Sequence, residues 1–364
     1  MIKEIMRAIK WLWAHERHLS GLFLAGGFAF DNYFFGRIDR PETQLIFIAY
    51  LAMAAVSIAV LHWLESRHEN KKHTNRARSV LVFATQFALG CLLSGFCVFY
   101  IRSASVVASW PFLLFITGIF IGNEIFRKYN SRLVFASLLF YFSLFSYAIF
   151  LVPLLIHRIG TAPFLLSGLL SLSVFFFYLR GLAWLGHDRY RGARREIMAG
   201  VIGISVLINV FYFAKILPPL PLALSDAGVY HSIRRVGPDF LAAAESDPPA
   251  WRALLGTHPV KHLRPGGKLY LYSAIFAPSG LRTRITHEWQ WQDKNGDWKV
   301  QQRIMVPIFG GRDNGYRFFS NKSGVQPGQW RVNIATADGR SIGKVRFSVV
   351  HQPAPPDIKA ITLK

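Results

Sequence analysis

His287, Trp289 and Trp291 alternate along one extended stretch, so a strand carries all three side chains on one face. Arg312, Tyr316, Arg317 and Lys322 follow in the next long loop, and Trp330 opens a later strand. Arginine grips a carboxylate or phosphate through two parallel N–H bonds, and a Trp face stacks and attracts cations. His287, Arg312, Tyr316, Arg317 and Trp330 therefore make a candidate platform for a sugar, a glycan strand or an anionic group. The competing reading puts Trp289 and Trp330 in a sandwich core, leaves the arginines solvated and gives Gly310, Gly311 and Gly315 a turn to shape. Both readings are consistent with the residues alone.

Other chemistries find less support. His258 and His262 are four apart, but Pro259 between them disfavours the helix that would align them on a metal. His287-Glu288 has Trp291 where a zinc-protease helix needs its second histidine. No nucleophile elbow, phosphate-binding loop or dinucleotide fingerprint occurs, and Glu288 with Asp293 does not define a glycosidase pair. The reading assigns no catalytic residue, no metal and no cofactor.

The elements that must position the platform come from a second half of different composition. Apolar residues make up 52% of the chain and aromatics 15%, high for a water-soluble domain. Seven apolar stretches, near 19–36, 43–64, 79–101, 105–126, 133–156, 161–186 and 197–214, are long enough to cross a bilayer as helices. Residues 1–18 are basic and amphipathic, suited to the membrane surface, and the first stretch lacks a clean signal-peptide cleavage site. Lysine and arginine concentrate in the N-terminal tail and in the second, fourth and sixth loops, which together hold sixteen. The alternate loops hold four, Arg37, Arg40, Arg102 and Arg158. Cytoplasmic loops carry the excess, so the expected N-terminus is inside and the C-terminal part outside, periplasmic in a bacterial inner membrane.

Charged groups inside a span are costly and invite a reason. Asp31 and Asn32 near the outer end of the first stretch, with Arg37, Asp39, Arg40 and Glu42 after them, suggest either a charge-paired vestibule or ordinary interfacial anchoring. Asn123 and Glu124 lie near the inner end of the fourth stretch and Arg180 near that of the sixth. A Glu124–Arg180 pair would serve as structural glue or as part of a relay.

After Phe213 the composition shifts. Residues 215–228, with Pro218, Pro219 and Pro221, read as a stiff linker. Residues 229–350 read as an antiparallel β-sandwich-like domain, opened by short helices over 238–256, and 351–364 as a loose tail. Lys268–Phe276 alternates, with Leu269, Leu271, Ser273 and Ile275 opposite Tyr270, Tyr272, Ala274 and Phe276. Asp293-Lys294-Asn295-Gly296 and Ala337-Asp338-Gly339-Arg340 are tight hairpin turns. Both cysteines, Cys91 and Cys97, fall in the third stretch, so the outer domain is held by its core without disulfides.

Particular runs in the β region carry a resemblance. They are Ile275-Phe276-Ala277-Pro278, Ile285-Thr286-His287-Glu288-Trp289, Gly311-Arg312 with Gly315-Tyr316-Arg317, Pro327-Gly328-Gln329-Trp330-Arg331-Val332 and Asp338-Gly339-Arg340-Ser341-Ile342-Gly343. In this order, Ala274–Val350 resembles the bacterial domain-of-unknown-function family numbered 2914. Phe28-Ala29-Phe30-Asp31-Asn32 and Arg37-Ile38-Asp39-Arg40 resemble the multi-span segment that often precedes it. The resemblance implies an envelope β domain on a membrane anchor and transfers no activity.

From Lys215 onward the balance is twenty-one Lys and Arg against ten Asp and Glu. Such a domain attracts anionic lipid headgroups, acidic glycans or acidic periplasmic proteins. An outward location argues against nucleic acid. The resulting expectation is a non-enzymatic inner-membrane protein whose periplasmic domain binds an envelope ligand or partner. The alternatives are a transporter or channel capped by the domain, and a membrane enzyme acting on a lipid-linked substrate with Asp31 or His287 as a catalytic group.

Overall fold

The computed structural model describes residues 37–67, 73–103, 106–125, 133–245, 258–312, 315–353 and 357–363. The chain divides into two units. One is built from helices up to Phe213; the other holds the region from Ala214 onward together with Arg102–Ser109 and Pro153–Pro163.

Among the described residues, six helices form the first unit: α1 (Pro41–Ser66), α2 (His73–Ser103), α3 (Val106–Ile125), α4 (Leu133–Ile156), α5 (Thr161–Leu185) and α6 (His187–Phe213). Five are long and apolar enough to cross a membrane; α3 contributes a shorter apolar helix over Ser109–Asn123. Each overlaps one of the expected stretches. The first expected stretch, 19–36, with Asp31, lies outside the described residues. Pro41 begins α1 where its missing N–H costs nothing.

Aromatic stacking fills the unit's interior, with Phe47 on Phe96 at 5.2 Å and Tyr100 against Phe150 at 5.0 Å. Two tyrosines bond across helices: Tyr147 donates to Gln44 at 2.9 Å, and the Tyr178 hydroxyl donates to the Ala55 carbonyl at 3.1 Å. Large apolar side chains such as Leu169, Phe177 and Trp184 face outward. Outward apolar faces suit helices surrounded by lipid, where backbone groups bond within the helix. At one end of the unit, Glu65 pairs with both Arg78, at 2.8 Å, and Arg189.

Eleven strands form the second unit among the described residues. They are β1 (Ala223–Tyr230), β2 (Ser232–Val236), β3 (Asp239–Ala244), β4 (Val260–Leu263), β5 (Lys268–Phe276), β6 (Arg282–Gln292), β7 (Trp298–Phe309), β8 (Tyr316–Ser323), β9 (Gly328–Thr336), β10 (Ser341–His351) and β11 (Lys359–Leu363). They make three sheets, in the orders β1-β5-β8, β4-β10-β9-β6-β7 and β11-β3-β2.

The three-stranded β1-β5-β8 sheet is the middle layer. Its Leu269, Leu271, Ile275 and Phe318 pack against Ile285, Trp289, Val332, Ile334 and Phe347 of the five-stranded sheet. Its other face, through Tyr272 and Ala274, packs against Ile233, Phe240, Ala242 and Leu363 of the third sheet. The alternation along Lys268–Phe276 thus sorts its side chains into two cores, and β5 is buried on both faces.

Four expectations need correction. The tail expected to be loose over 351–364 carries strand β11, which pairs antiparallel with β3 and buries Leu363. Strand β1 begins at Ala223, inside the expected linker. Residues 239–244 are a strand paired with β2 and β11, not the start of a helix; pairing on both edges supplies the backbone bonds, and the alternating burial of β3 fits a pleat. The remainder of the expected helical stretch, 246–257, lies outside the described residues. The fold is also not wholly antiparallel, because β4 runs parallel to β10.

Candidate functional site

Strand β6 turns His287 inward, and three neighbours hold it there. Its Nε2 lies 2.9 Å from the Ser273 hydroxyl on β5, and its Nδ1 lies 2.8 Å from the Ser320 hydroxyl on β8. Phe318 stacks on the ring at a centroid distance of 4.4 Å, and Trp289 donates its indole N–H to Ser320 at 3.1 Å. One arrangement uses every group: Ser320 accepts from Trp289 and donates to Nδ1, while Nε2–H donates to Ser273. That arrangement needs the neutral imidazole. Burial accordingly pushes the pKa of His287 down to about 3. The ring is fully buried, so it neither meets a ligand from solvent nor acts as a catalytic base on one.

Trp330 on β9 is also inside, its indole N–H donating to the Gln326 carbonyl at 2.8 Å. Strand alternation separates the other platform residues. Tyr316 packs toward the main core, and exposed Arg312 lies over its ring at 5.0 Å. Arg317, one residue on, emerges on the opposite face of β8. There it bonds Asp239 at 3.2 Å and the Pro238 carbonyl at 2.9 Å, fastening the β2–β3 turn to the middle sheet. Of the five expected platform residues the structure brings together only Arg312 and Tyr316. Gly315 sits beneath them with φ of 78°, and a Cβ added there would lie 2.8 Å from the Ile275 carbonyl carbon.

Among the expected intramembrane polar residues, Asn123 is buried and lies beside Gly90 of α2, where an added Cβ would make an ordinary contact of 3.6 Å with Asn123 Nδ2. Arg180 is exposed on α5, with its guanidinium 5.8 Å above Phe176. The Glu124 side chain, and with it the expected pair with Arg180, lies outside the described residues.

A second cluster joins His231, Glu245 and His262. Glu245 accepts from the His262 backbone N–H at 2.8 Å and meets His262 Nδ1 at 3.0 Å and His231 Nε2 at 2.5 Å. Burial by itself would raise the Glu245 pKa. The His262 backbone and side-chain bonds and the His231 bond outweigh it and hold the carboxyl below its ordinary value. The cluster ties the end of β3 to β4. Among the described residues no group of three His, Cys, Asp or Glu side chains is arranged to hold a metal ion.

The outer face of the five-stranded sheet gathers cations that the expected platform omitted. Register places Lys344, Asn333, Glu288 and Arg303 in one cross-strand row, and Arg346, Arg331 and Gln290 in the next. Arg303 pairs with Glu288, and Gln290 links Glu288 to Arg331. The Arg331 guanidinium lies 4.2 Å from the Trp298 ring centroid. The Asp338-Gly339 turn alone does not give this row: a bulge between Ser341 and Gly343 shifts the β9–β10 register by one residue, and only the shifted register puts Arg331 directly opposite Arg346.

No curated protein matches the chain. Among solved structures it is similar to Pseudomonas fluorescens alkylpurine DNA glycosylase AlkC bound to DNA containing an abasic site analog. Identity is 10% and the TM-score 0.23, over 84% of this chain and 98% of that one, a likeness too low to carry any inference. The family described as "Protein of unknown function (DUF2914)" matches residues 282–349, the run from the start of β6 into β10.

Proposed function

We propose that the protein is a multi-pass bacterial inner-membrane protein that presents its β domain in the periplasm, where the domain binds an anionic envelope ligand or partner without catalysis. The observation that carries the reading is the division of roles inside the domain. Groups suited to chemistry, His287 foremost, are sealed in the core, while half-buried Arg331 and Lys344 and exposed Arg346 stand on the outward face of the five-stranded sheet. Binding to an anionic glycan, headgroup or protein needs the second and not the first.

For the orientation, support comes from Glu65, which joins Arg78 and Arg189. These arginines belong to the second and sixth loops, so the two cation-rich loops share one end of the helical unit. A common end is what the positive-inside distribution requires.

The test is a thermal-shift screen of the full-length protein in a neutral detergent against acidic oligosaccharides, peptidoglycan fragments and anionic lipid added to the micelles. A ligand that binds only the folded state raises the melting temperature. A saturable shift supports the binding-module reading. Silence across the panel, with an intact cooperative transition, overturns it.

A further inference from the structure

Arg331 and Arg346 are register partners on β9 and β10. Like charges directly opposite on a sheet destabilise it. Lys344 sits two residues along β10 on the same face and adds a third cation. Among the described residues neither Arg346 nor Lys344 has a carboxylate partner, and the nearest acid in the two rows, Glu288, is already held by Arg303 and Gln290. Folding alone gives no reason to assemble three cations here, and local rules are broken most often where a site must work.

We propose that Arg331, Arg346 and Lys344 form a binding site for the phosphoryl group of a soluble phosphorylated ligand. The inference rests on the reading of the domain as a binding module and names the ligand's reactive chemistry.

The geometry favours a compact, multiply charged anion. Three cations sit at adjacent register positions, close enough to lower one another's pKa, a compact patch and not the row along a groove that a glycan's repeating charges would need. The Arg331 side chain is already fixed: Gln290 holds its Nε, and Trp298 supports its guanidinium face. Its two terminal nitrogens are left to meet a phosphate bidentately. Burial and then the fields of Arg331 and Arg346 pull the Lys344 pKa down, and burial and then the field of Arg346 do the same to Arg331. A bound dianion would relieve that repulsion.

The probe is inorganic pyrophosphate, titrated into the full-length protein in neutral detergent at constant ionic strength, with melting temperature and calorimetric heat as readouts. A saturable response is expected that chloride does not reproduce. Arg331→Gln and Arg346→Gln should each weaken half-saturation by at least about tenfold, as loss of a charge-assisted pair implies. Because Arg346→Gln also removes a repulsion, its ligand-free melting temperature should hold or rise, which separates lost binding from lost folding. No saturable pyrophosphate response overturns the inference, as does a response that both variants retain. A response only to micelles carrying phosphatidylglycerol also overturns it and makes the face a lipid contact. If an acidic oligosaccharide binds where pyrophosphate does not, the inference fails and the binding module stands. If nothing binds, both fall.

Discussion

His287 should make the β domain sensitive to mild acid. In the folded chain the imidazole stays neutral down to about pH 3, whereas its ordinary value is 6.5. Between those limits the unfolded chain binds a proton that the folded chain refuses. Stability is therefore complete above about pH 6.5 and falls as the pH drops through this window. The slope approaches about 1.4 kcal/mol per pH unit, so moving from pH 7 to pH 5 removes about 2 kcal/mol through this one residue. That loss is a sizeable share of a typical domain's stability of about 5–15 kcal/mol. Exchange-protected amides of β6 in the full-length protein would report it by mass spectrometry at the two pH values. His287→Gln cannot titrate. It disturbs the contacts to Ser273 and Ser320 and starts from a lower stability, but the part of the pH dependence owed to residue 287 should vanish. Equal pH dependence in wild type and His287→Gln would refute the reasoning, because it would mean that the buried ring protonates freely or that His287 is not enclosed.

Other perturbations have defined outcomes. Trp330→Ala empties a fully enclosed site and should cost about 3–5 kcal/mol, read as loss of the domain's cooperative melting transition. Glu245→Gln removes the charge that joins His231 and His262 and should cost about 1–2 kcal/mol at neutral pH. The wild type should lose the same contribution as the pH falls below about 4.5 through the depressed folded-state pKa, so acid melting curves of the two proteins should converge. Gly315→Ala should lower the melting temperature through both the positive φ and the approach to the Ile275 backbone, and the shift should exceed that of Gly324→Ala, where a Cβ meets nothing within 4 Å.

Patterns of local origin were readable from the chain. The β5 alternation, the Asn295-Gly296 turn with Asp293 accepting from the Asn295 and Asp297 N–H groups, and six of seven apolar stretches all depend on neighbours in sequence. What depended on distant pairing was not. Residues 239–244 carry a Pro-Asp start that suits a helix, and only pairing with β2 and with the far C-terminal β11 makes them a strand. The third sheet that results explains why Tyr270, Tyr272 and Ala274, which a two-layer sandwich would leave facing solvent, are apolar or aromatic. Among the platform residues, His287 and Trp330 share an inward face, and the strand period divides Tyr316 from Arg317. Neighbours in sequence therefore end on opposite sides of β8, while Arg331 and Arg346, fifteen positions apart, become partners across the β9–β10 hairpin.

The orientation of the β domain underlies the whole functional reading. Alkaline phosphatase fused after residue 364 and expressed in a bacterial host measures it directly, since that enzyme is active only outside the cytoplasm. The account predicts an active fusion at the C-terminus and an inactive one in the loop between α1 and α2. An inactive C-terminal fusion, with full-length protein present in the membrane fraction, would place the domain in the cytoplasm and contradict the account.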